Sequence, residues 1–234
     1  MLEELKDAVW KANLELARSG LVILTFGNVS GIDRRRGLVA IKPSGVAYET
    51  LKADDIVLVD LEGRVVEGWL NPSSDTPIHV ELYKAFPRVG GVAHAHSEYA
   101  TMFAQAGHEI PCLGTTHADQ FHGPVRITRQ LSEAEVADSY ERNTGRVIVE
   151  RVSGHFALEN PAVLVAGHGP FAWGATPQEA VEASIVLEHV AKLAYGTLAL
   201  DRDRAPLETH IQDKHFRRKH GPNAYYGQKK GDRT

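Results

Sequence analysis

The chain has 234 residues, enough for one sizeable core and tight for two. Hydrophobic residues at 43%, charged residues at 24% and a net charge of -4 describe an ordinary soluble balance, with no basic surface for nucleic acid or membrane. A single cysteine, Cys112, excludes an internal disulfide framework, and no apolar run approaches membrane-spanning length. The first six residues are acidic and helical in pattern rather than signal-like, so a reducing, cytoplasmic setting is expected. The unusual component is histidine, present twelve times.

Leu2, Leu5, Val9, Ala12 and Leu16 recur at three- and four-residue steps, which predicts an amphipathic first helix closed by Gly20. Residues 21–24 read as a strand running into Thr25-Phe26-Gly27-Asn28-Val29-Ser30, and residues 38–41 as a strand ending in Lys42-Pro43-Ser44-Gly45. Residues 56–60 and 64–67, joined through Glu62-Gly63, read as a hairpin. Ser73-Ser74-Asp75-Thr76-Pro77 is a helix start, with Ile78, Leu82, Ala85 and Phe86 as the inner face up to Pro87.

Next comes Gly91-Val92-Ala93-His94-Ala95-His96-Ser97. In an extended strand alternate side chains share a face, so His94 and His96 would point the same way about 7 Å apart along the chain. That spacing lets two imidazoles converge on one cation, each bonded at about 2 Å. The plain alternative is a pair of histidines on the wet face of a strand.

Residues 98–107 predict a short helix, and Thr115-Thr116-His117-Ala118-Asp119 irregular polar sequence. Ser132 and Glu135 form a capping box for a helix to about residue 142. Residues 147–150 and 162–166 read as strands, the second ending at Gly167-His168-Gly169. Thr176-Pro177-Gln178-Glu179 is a second capping box opening the longest helix, with Ala180, Ala183, Val186, Leu187, Val190 and Leu193 as its buried stripe. The tail from Asp201 carries Asp213-Lys214-His215-Phe216 and Ala224-Tyr225-Tyr226-Gly227-Gln228, with residues 229–234 expected to fray. No repeat or composition break divides the chain. One α/β domain over residues 1–228, with a mostly antiparallel central sheet flanked by helices, is the economical architecture.

A catalytic metal commonly takes three protein ligands and keeps one position open. His168, between two glycines at a strand end, is the best third partner for His94 and His96. His79, His108, His155, His189 and His220 have no such context and read as surface or packing residues. Asp75 is either the helix N-cap or a further carboxylate at the metal. Gly27-Asn28, Ser44-Gly45 and Ser73-Ser74 each follow a strand or precede a helix. Glycine admits close backbone approach, serine hydroxyls donate, helix N-termini favour anions, and Lys42 adds a charge. None matches a nucleotide fingerprint, so a small phosphorylated substrate is expected instead.

Together, Gly27-Asn28-Val29-Ser30, Ile41-Lys42-Pro43-Ser44-Gly45, Pro72-Ser73-Ser74-Asp75-Thr76-Pro77, the His-x-His segment, Thr115-Thr116-His117-Ala118-Asp119 and His168-Gly169-Pro170-Phe171-Ala172-Trp173-Gly174 resemble the class II aldolase/epimerase family. The resemblance runs on to Asp213-Lys214-His215 and Tyr225-Tyr226-Gly227-Gln228, which point to its epimerase branch. It implies one divalent ion per subunit, zinc-type with manganese or cobalt able to substitute, at His94, His96 and His168, with Asp75 counted with the metal site. It places the substrate phosphate against Gly27, Asn28, Ser44, Gly45, Ser73 and Ser74. It further implies a homotetramer with active sites between subunits, where Asp119 and Tyr226 from the neighbour do the proton work with His215 close by. The implied reaction is epimerisation of a pentulose phosphate at carbon 4 by cleaving and re-forming the bond between carbons 3 and 4. An aldolase that releases its fragments, or a non-catalytic interaction module of the same fold, are the competing expectations.

Overall fold

Alternation of side chains across the seven short strands of the described residues puts two apolar surfaces back to back, and each surface needs helices to cover it. The computed structural model describes residues 2–152 and 159–227. His155, Gln228 and the tail expected to fray lie outside the described residues. After helix α1 (Leu2–Arg18) come β1 (Asn28–Asp33), β2 (Leu38–Ile41), β3 (Val57–Asp60) and β4 (Val65–Glu67). Helix α2 (Thr76–Ala85), β5 (Gly91–His94), α3 (Glu98–Ala106), α4 (Thr115–Ala118) and α5 (Glu133–Arg151) follow. The described elements end with β6 (Ala162–Val165), β7 (Gly169–Gly174), α6 (Pro177–Leu200) and α7 (Thr209–Lys219).

The strands form one sheet in the order β4-β3-β2-β1-β5-β7-β6, and every neighbouring pair is antiparallel. On one face Val39, Val57, Val59, Val92, Phe171 and Trp173 pack against Ile78, Leu82 and Tyr83 of α2 and Ile148 of α5. On the other, Val29 and Ala93 meet Ala12 and Leu16 of α1 and Val181 of α6. Ala162, Leu164 and Ala172 on that face pack with α3 and α6. The expected single α/β layer structure is what the chain adopts. Among the described residues no helix is long and apolar enough to cross a membrane.

Several local expectations are corrected. Residues 21–24 form a loop rather than a strand: Leu21 is buried, but Ile23 and Leu24 are 64% and 79% exposed and Leu24 has φ 55. The apolar run is split between sealing the end of α1 and standing in solvent, and pairing begins only after Gly27. Residues 147–150 are the last turns of α5, not a strand. Their β-branched composition suggested extension, yet Val147 and Ile148 are buried, and Gly145 sits so close to α2 that a Cβ there would lie 2.8 Å from Glu81 Cβ. Tertiary contact with α2 overrides the local preference. A non-helical residue inside α5, Ser139 (φ -158, ψ 81), breaks the periodicity that would have revealed its full length.

Residues 115–118 make one helical turn instead of irregular chain, and β7 and α7 were not anticipated. The box at α6 is half formed: Thr176 Oγ1 accepts from the Glu179 amide at 3.1 Å, but the Glu179 carboxylate accepts from Ala175 N. Leu193, assigned to the buried stripe, is 47% exposed, and Val186 is half-buried.

Candidate metal centre and substrate cleft

Strand register assembles the site. Asn28 of β1 lies opposite His94 of β5, which in turn lies opposite Phe171 of β7. His94 and Phe171 therefore stack, with ring centroids 4.1 Å apart and planes 13° from parallel. The hydrogen-bonded ladder stops at His94, so His96 lies just past the strand. Ala95 between them still turns into the opposite core, which keeps the two imidazoles on one face. Gly27, at φ 91, has no room for a side chain: a Cβ would lie 2.9 Å from the His94 carbonyl.

His168 arrives on the β6–β7 turn. Gly167 adopts φ 71 there, and a Cβ on Gly169 would come within 3.3 Å of the His96 ring, so the flanking glycines have a physical reason. The three rings meet with centroids 4.9, 4.8 and 5.1 Å apart, and one ligand nitrogen from each lies within 4.8 Å of the others. Among the described residues this is the group of His, Cys, Asp or Glu side chains able to share a cation. His94 Nδ1–H donates to the Pro170 carbonyl at 2.8 Å, which leaves Nε2 free to face the cluster. Burial pulls the His94 pKa down to about 3 against the opposing pull of Asp75, and burial with His96 also lowers that of His168. Unprotonated imidazoles are the form that binds a cation, so the donor set fits a divalent metal.

Asp75 stands beside this group. It is the N-cap residue of α2 by position, but its side chain caps nothing. Its Oδ2 accepts from Asn28 Nδ2 at 2.7 Å and lies 4.0 Å from His94 Nε2. Burial pushes its pKa up, but His94, His79, the Asn28 amide and His168 outweigh that and hold it below the usual carboxylate value.

The three small-residue turns converge on the same place. A cleft of about 310 Å³ is lined by the three histidines, Asp75, Gly27, Asn28, Lys42, Ser44, Gly45, Ser73 and Ser74. The turns are tied to one another: Tyr48 OH donates to the Gly27 carbonyl at 2.8 Å, Ser73 N to Lys42 O at 3.1 Å and Asn28 Nδ2 to Ser73 Oγ at 3.1 Å. Lys42 is only 1% exposed and its ammonium sits 4.6 Å over the Tyr48 ring. Burial lowers its pKa to about 8, so it still carries a proton on most molecules at neutral pH. A larger groove of about 610 Å³ beside Arg88, Gln120 and Glu179 gathers no comparable ligand set.

Asp119, His215 and Tyr226 come together elsewhere. None of them lines the cleft of its own chain. Asp119 accepts two bonds from Arg218, at 2.9 and 2.6 Å, and faces His215 Nδ1 at 3.1 Å. Burial raises the Asp119 pKa, yet the bonds from Arg218 and His215 and the charge of Lys219 together leave it below the ordinary value. Tyr226 is 62% exposed, with Arg218 and Lys219 over its ring at 5.1 and 4.5 Å. Arg218, the residue that gathers this group, carried no signal beyond a basic stretch in the tail. Tyr140 was also missed; its hydroxyl lies 3.5 Å from His168 Nδ1. His79 is a buried packing residue as expected, with Nδ1 2.7 Å from Ser30 Oγ.

The family described as class II aldolase and adducin N-terminal domain matches residues 7–195, and the chain belongs to it. The chain is 54% identical over 228 residues to the L-ribulose-5-phosphate 4-epimerase UlaF of Salmonella paratyphi C (strain RKS4594), across 97% of this chain and 100% of that protein. The same figures hold for UlaF of Salmonella choleraesuis (strain SC-B67). Among solved structures, an L-fuculose 1-phosphate aldolase superposes with a TM-score of 0.77 at 26% identity, covering 91% of this chain and 94% of that one. The L-fuculose 1-phosphate aldolase from Glaciozyma antarctica PI12 has the same fold, with a TM-score of 0.76 at 20% identity over 95% of this chain and 84% of its own.

Proposed function

We propose that the chain is a metal-dependent L-ribulose-5-phosphate 4-epimerase, interconverting L-ribulose 5-phosphate and D-xylulose 5-phosphate. The observation that carries this reading is the single cleft in which three imidazoles face the phosphate-suited turns, in a chain so similar to UlaF. Carbon 4 of the pentulose is not adjacent to the carbonyl, so its hydrogen is not acidic and simple deprotonation there is too slow. Breaking the carbon 3–carbon 4 bond solves the problem. The bond electrons move onto carbon 3 to give the enediolate of dihydroxyacetone, and the carbon 4 hydroxyl loses its proton to become the aldehyde of glycolaldehyde phosphate. The aldehyde turns over, and the bond re-forms on its other face.

His94, His96 and His168 would hold the metal, with zinc best suited to imidazoles and manganese or cobalt able to replace it. When bound, it supplies a Lewis acid for the oxygen charge that develops, worth several kcal/mol of barrier. Lys42, the Ser44-Gly45 turn, Asn28 and the Ser73-Ser74 turn hold the phosphate, so one fragment stays anchored while its carbonyl end rotates. Asp75, held by Asn28, keeps negative charge next to the imidazoles. Proton traffic at the carbon 4 oxygen needs one group per face. Asp119, kept ionised by Arg218, accepts it on one side, and Tyr226 delivers it on the other. Both come from a neighbouring copy in a homotetramer, since neither lines the cleft of its own chain. The cytoplasm is the compartment we assign.

The test is incubation with L-ribulose 5-phosphate, with and without chelator, scoring D-xylulose 5-phosphate. Product that appears only with metal supports the reading. Release of trappable glycolaldehyde phosphate at the same rate as ketose consumption would make the protein an aldolase instead. Asp119→Asn and Tyr226→Phe should each slow epimerisation more than about tenfold with metal content unchanged. Near-normal rates in both would remove them from the mechanism.

A further inference from the structure

Two of the three imidazoles have a partner behind them. For His94 it is the Pro170 carbonyl, an acceptor fixed by the β7 backbone. His168 needs such a partner more, because it sits on a turn between two glycines and only its environment can hold its ring. Its Nδ1 is faced by the hydroxyl of Tyr140 at 3.5 Å, with the two rings tilted 30° and their centroids 6.4 Å apart.

Tyr140 reaches that point at a break in α5. Ser139 leaves helical geometry, and the carbonyls around the break are taken up by side chains: Asn143 Nδ2 donates to Glu135 O and Thr144 Oγ1 to Tyr140 O, both at 2.8 Å. The interruption is therefore satisfied on both sides and sets the direction of the tyrosine immediately after it.

We propose that Tyr140 is a positioning residue of the metal centre: its hydroxyl oxygen accepts from His168 Nδ1–H, which commits Nε2 of that ring to the ion. Outer partners of this kind fix the tautomer and the ring orientation of a metal-bound histidine. A phenol oxygen can accept such a bond while its own hydrogen stays in place. The inference rests on the proposed metal site.

Removing such a partner typically weakens metal binding by about 10- to 100-fold. The separation here is at the long end for a hydrogen bond, so Tyr140→Phe is expected near the lower figure, about tenfold in the dissociation constant for zinc or cobalt. The measurement is competition with a chromophoric chelator, backed by the visible spectrum of the cobalt-loaded protein, which should shift as the His168 ring loses its hold. Tyr195→Phe, on an exposed tyrosine of α6, serves as the control and should bind metal as wild type does. Tyr140 is 38% exposed, so loss of its hydroxyl should leave the thermal midpoint of the metal-free protein unchanged. Weaker metal binding with that midpoint intact supports the proposal. Unaltered affinity and cobalt spectrum would overturn it, as would weaker binding that merely tracks a loss of metal-free stability. A wild-type chain that binds no divalent ion would instead overturn the metal site itself.

Discussion

His94→Ala should leave a folded chain that has lost its metal and about a thousandfold or more of its epimerase activity. His94 is the middle of the cluster: it is 2% exposed, packs against both other imidazoles and stacks on Phe171. Two imidazoles are left, one exposed and one on a glycine-flanked turn, and a two-ligand site binds a divalent ion far more weakly. The several kcal/mol of barrier that the Lewis acid supplies then vanish, and every 1.36 kcal/mol is about tenfold in rate. The fold itself loses a ring stack and a hydrogen bond to Pro170, a cost of about 1–3 kcal/mol set against a total stability of about 5–15 kcal/mol. Elemental analysis of the purified variant beside its turnover number checks this. Wild-type metal content would mean that His94 is no ligand.

Gly91→Ala should be the most damaging small substitution in the sheet. Gly91 opens β5, three residues before His94, where the strand passes against the start of α6. A Cβ there would lie 2.4 Å from Thr176 O and from Pro177 N. Those are backbone atoms of a proline-started, Thr-capped helix terminus and cannot swing aside as a flexible side chain would. Either β5 moves away from α6, taking His94 with it, or the helix start is displaced. We expect a loss of about 3 kcal/mol or more, the upper range for overpacking. Gly196→Ala gives the contrast: that glycine lies inside α6 with nothing within 4 Å of the added methyl, so the change should be neutral or stabilising by up to about 1 kcal/mol. Urea unfolding of both variants measures the difference. Equal midpoints would show that the β5–α6 contact yields more easily than its backbone geometry suggests.

The histidine cluster was legible in the sequence because strand alternation and glycine flanks are local rules. Two histidines at even spacing, and a third between glycines, need only a turn and a short strand to meet, and the structure brings them together. The turns Gly27-Asn28, Ser44-Gly45 and Ser73-Ser74 were legible for the same reason, since each is a short stretch of special backbone. What escaped depends on packing between distant segments. The strand reading of residues 147–150 followed β-branched composition, whereas contact with α2 at Gly145 decides that the segment is helix. Residues 21–24 are apolar because Leu21 and Val22 seal one end of α1, a use that resembles a strand in every local respect. Arg218 and Tyr140 carried no motif, because their roles come only from which side chain they meet across 99 and 28 residues of chain.

In the proposed reaction the stereocentre is inverted by opening a carbon–carbon bond in the three-histidine cleft. The most direct test is turnover of L-ribulose 5-phosphate to equilibrium by the metal-loaded protein in deuterium oxide, with both ketose phosphates read by NMR. Cleavage keeps the original hydrogen on carbon 4 while its carbon turns, so the inverted product should carry no deuterium at that position. Deuterium at carbon 4 in step with epimerisation would contradict it, because the hydrogen would then have left the carbon and returned from solvent.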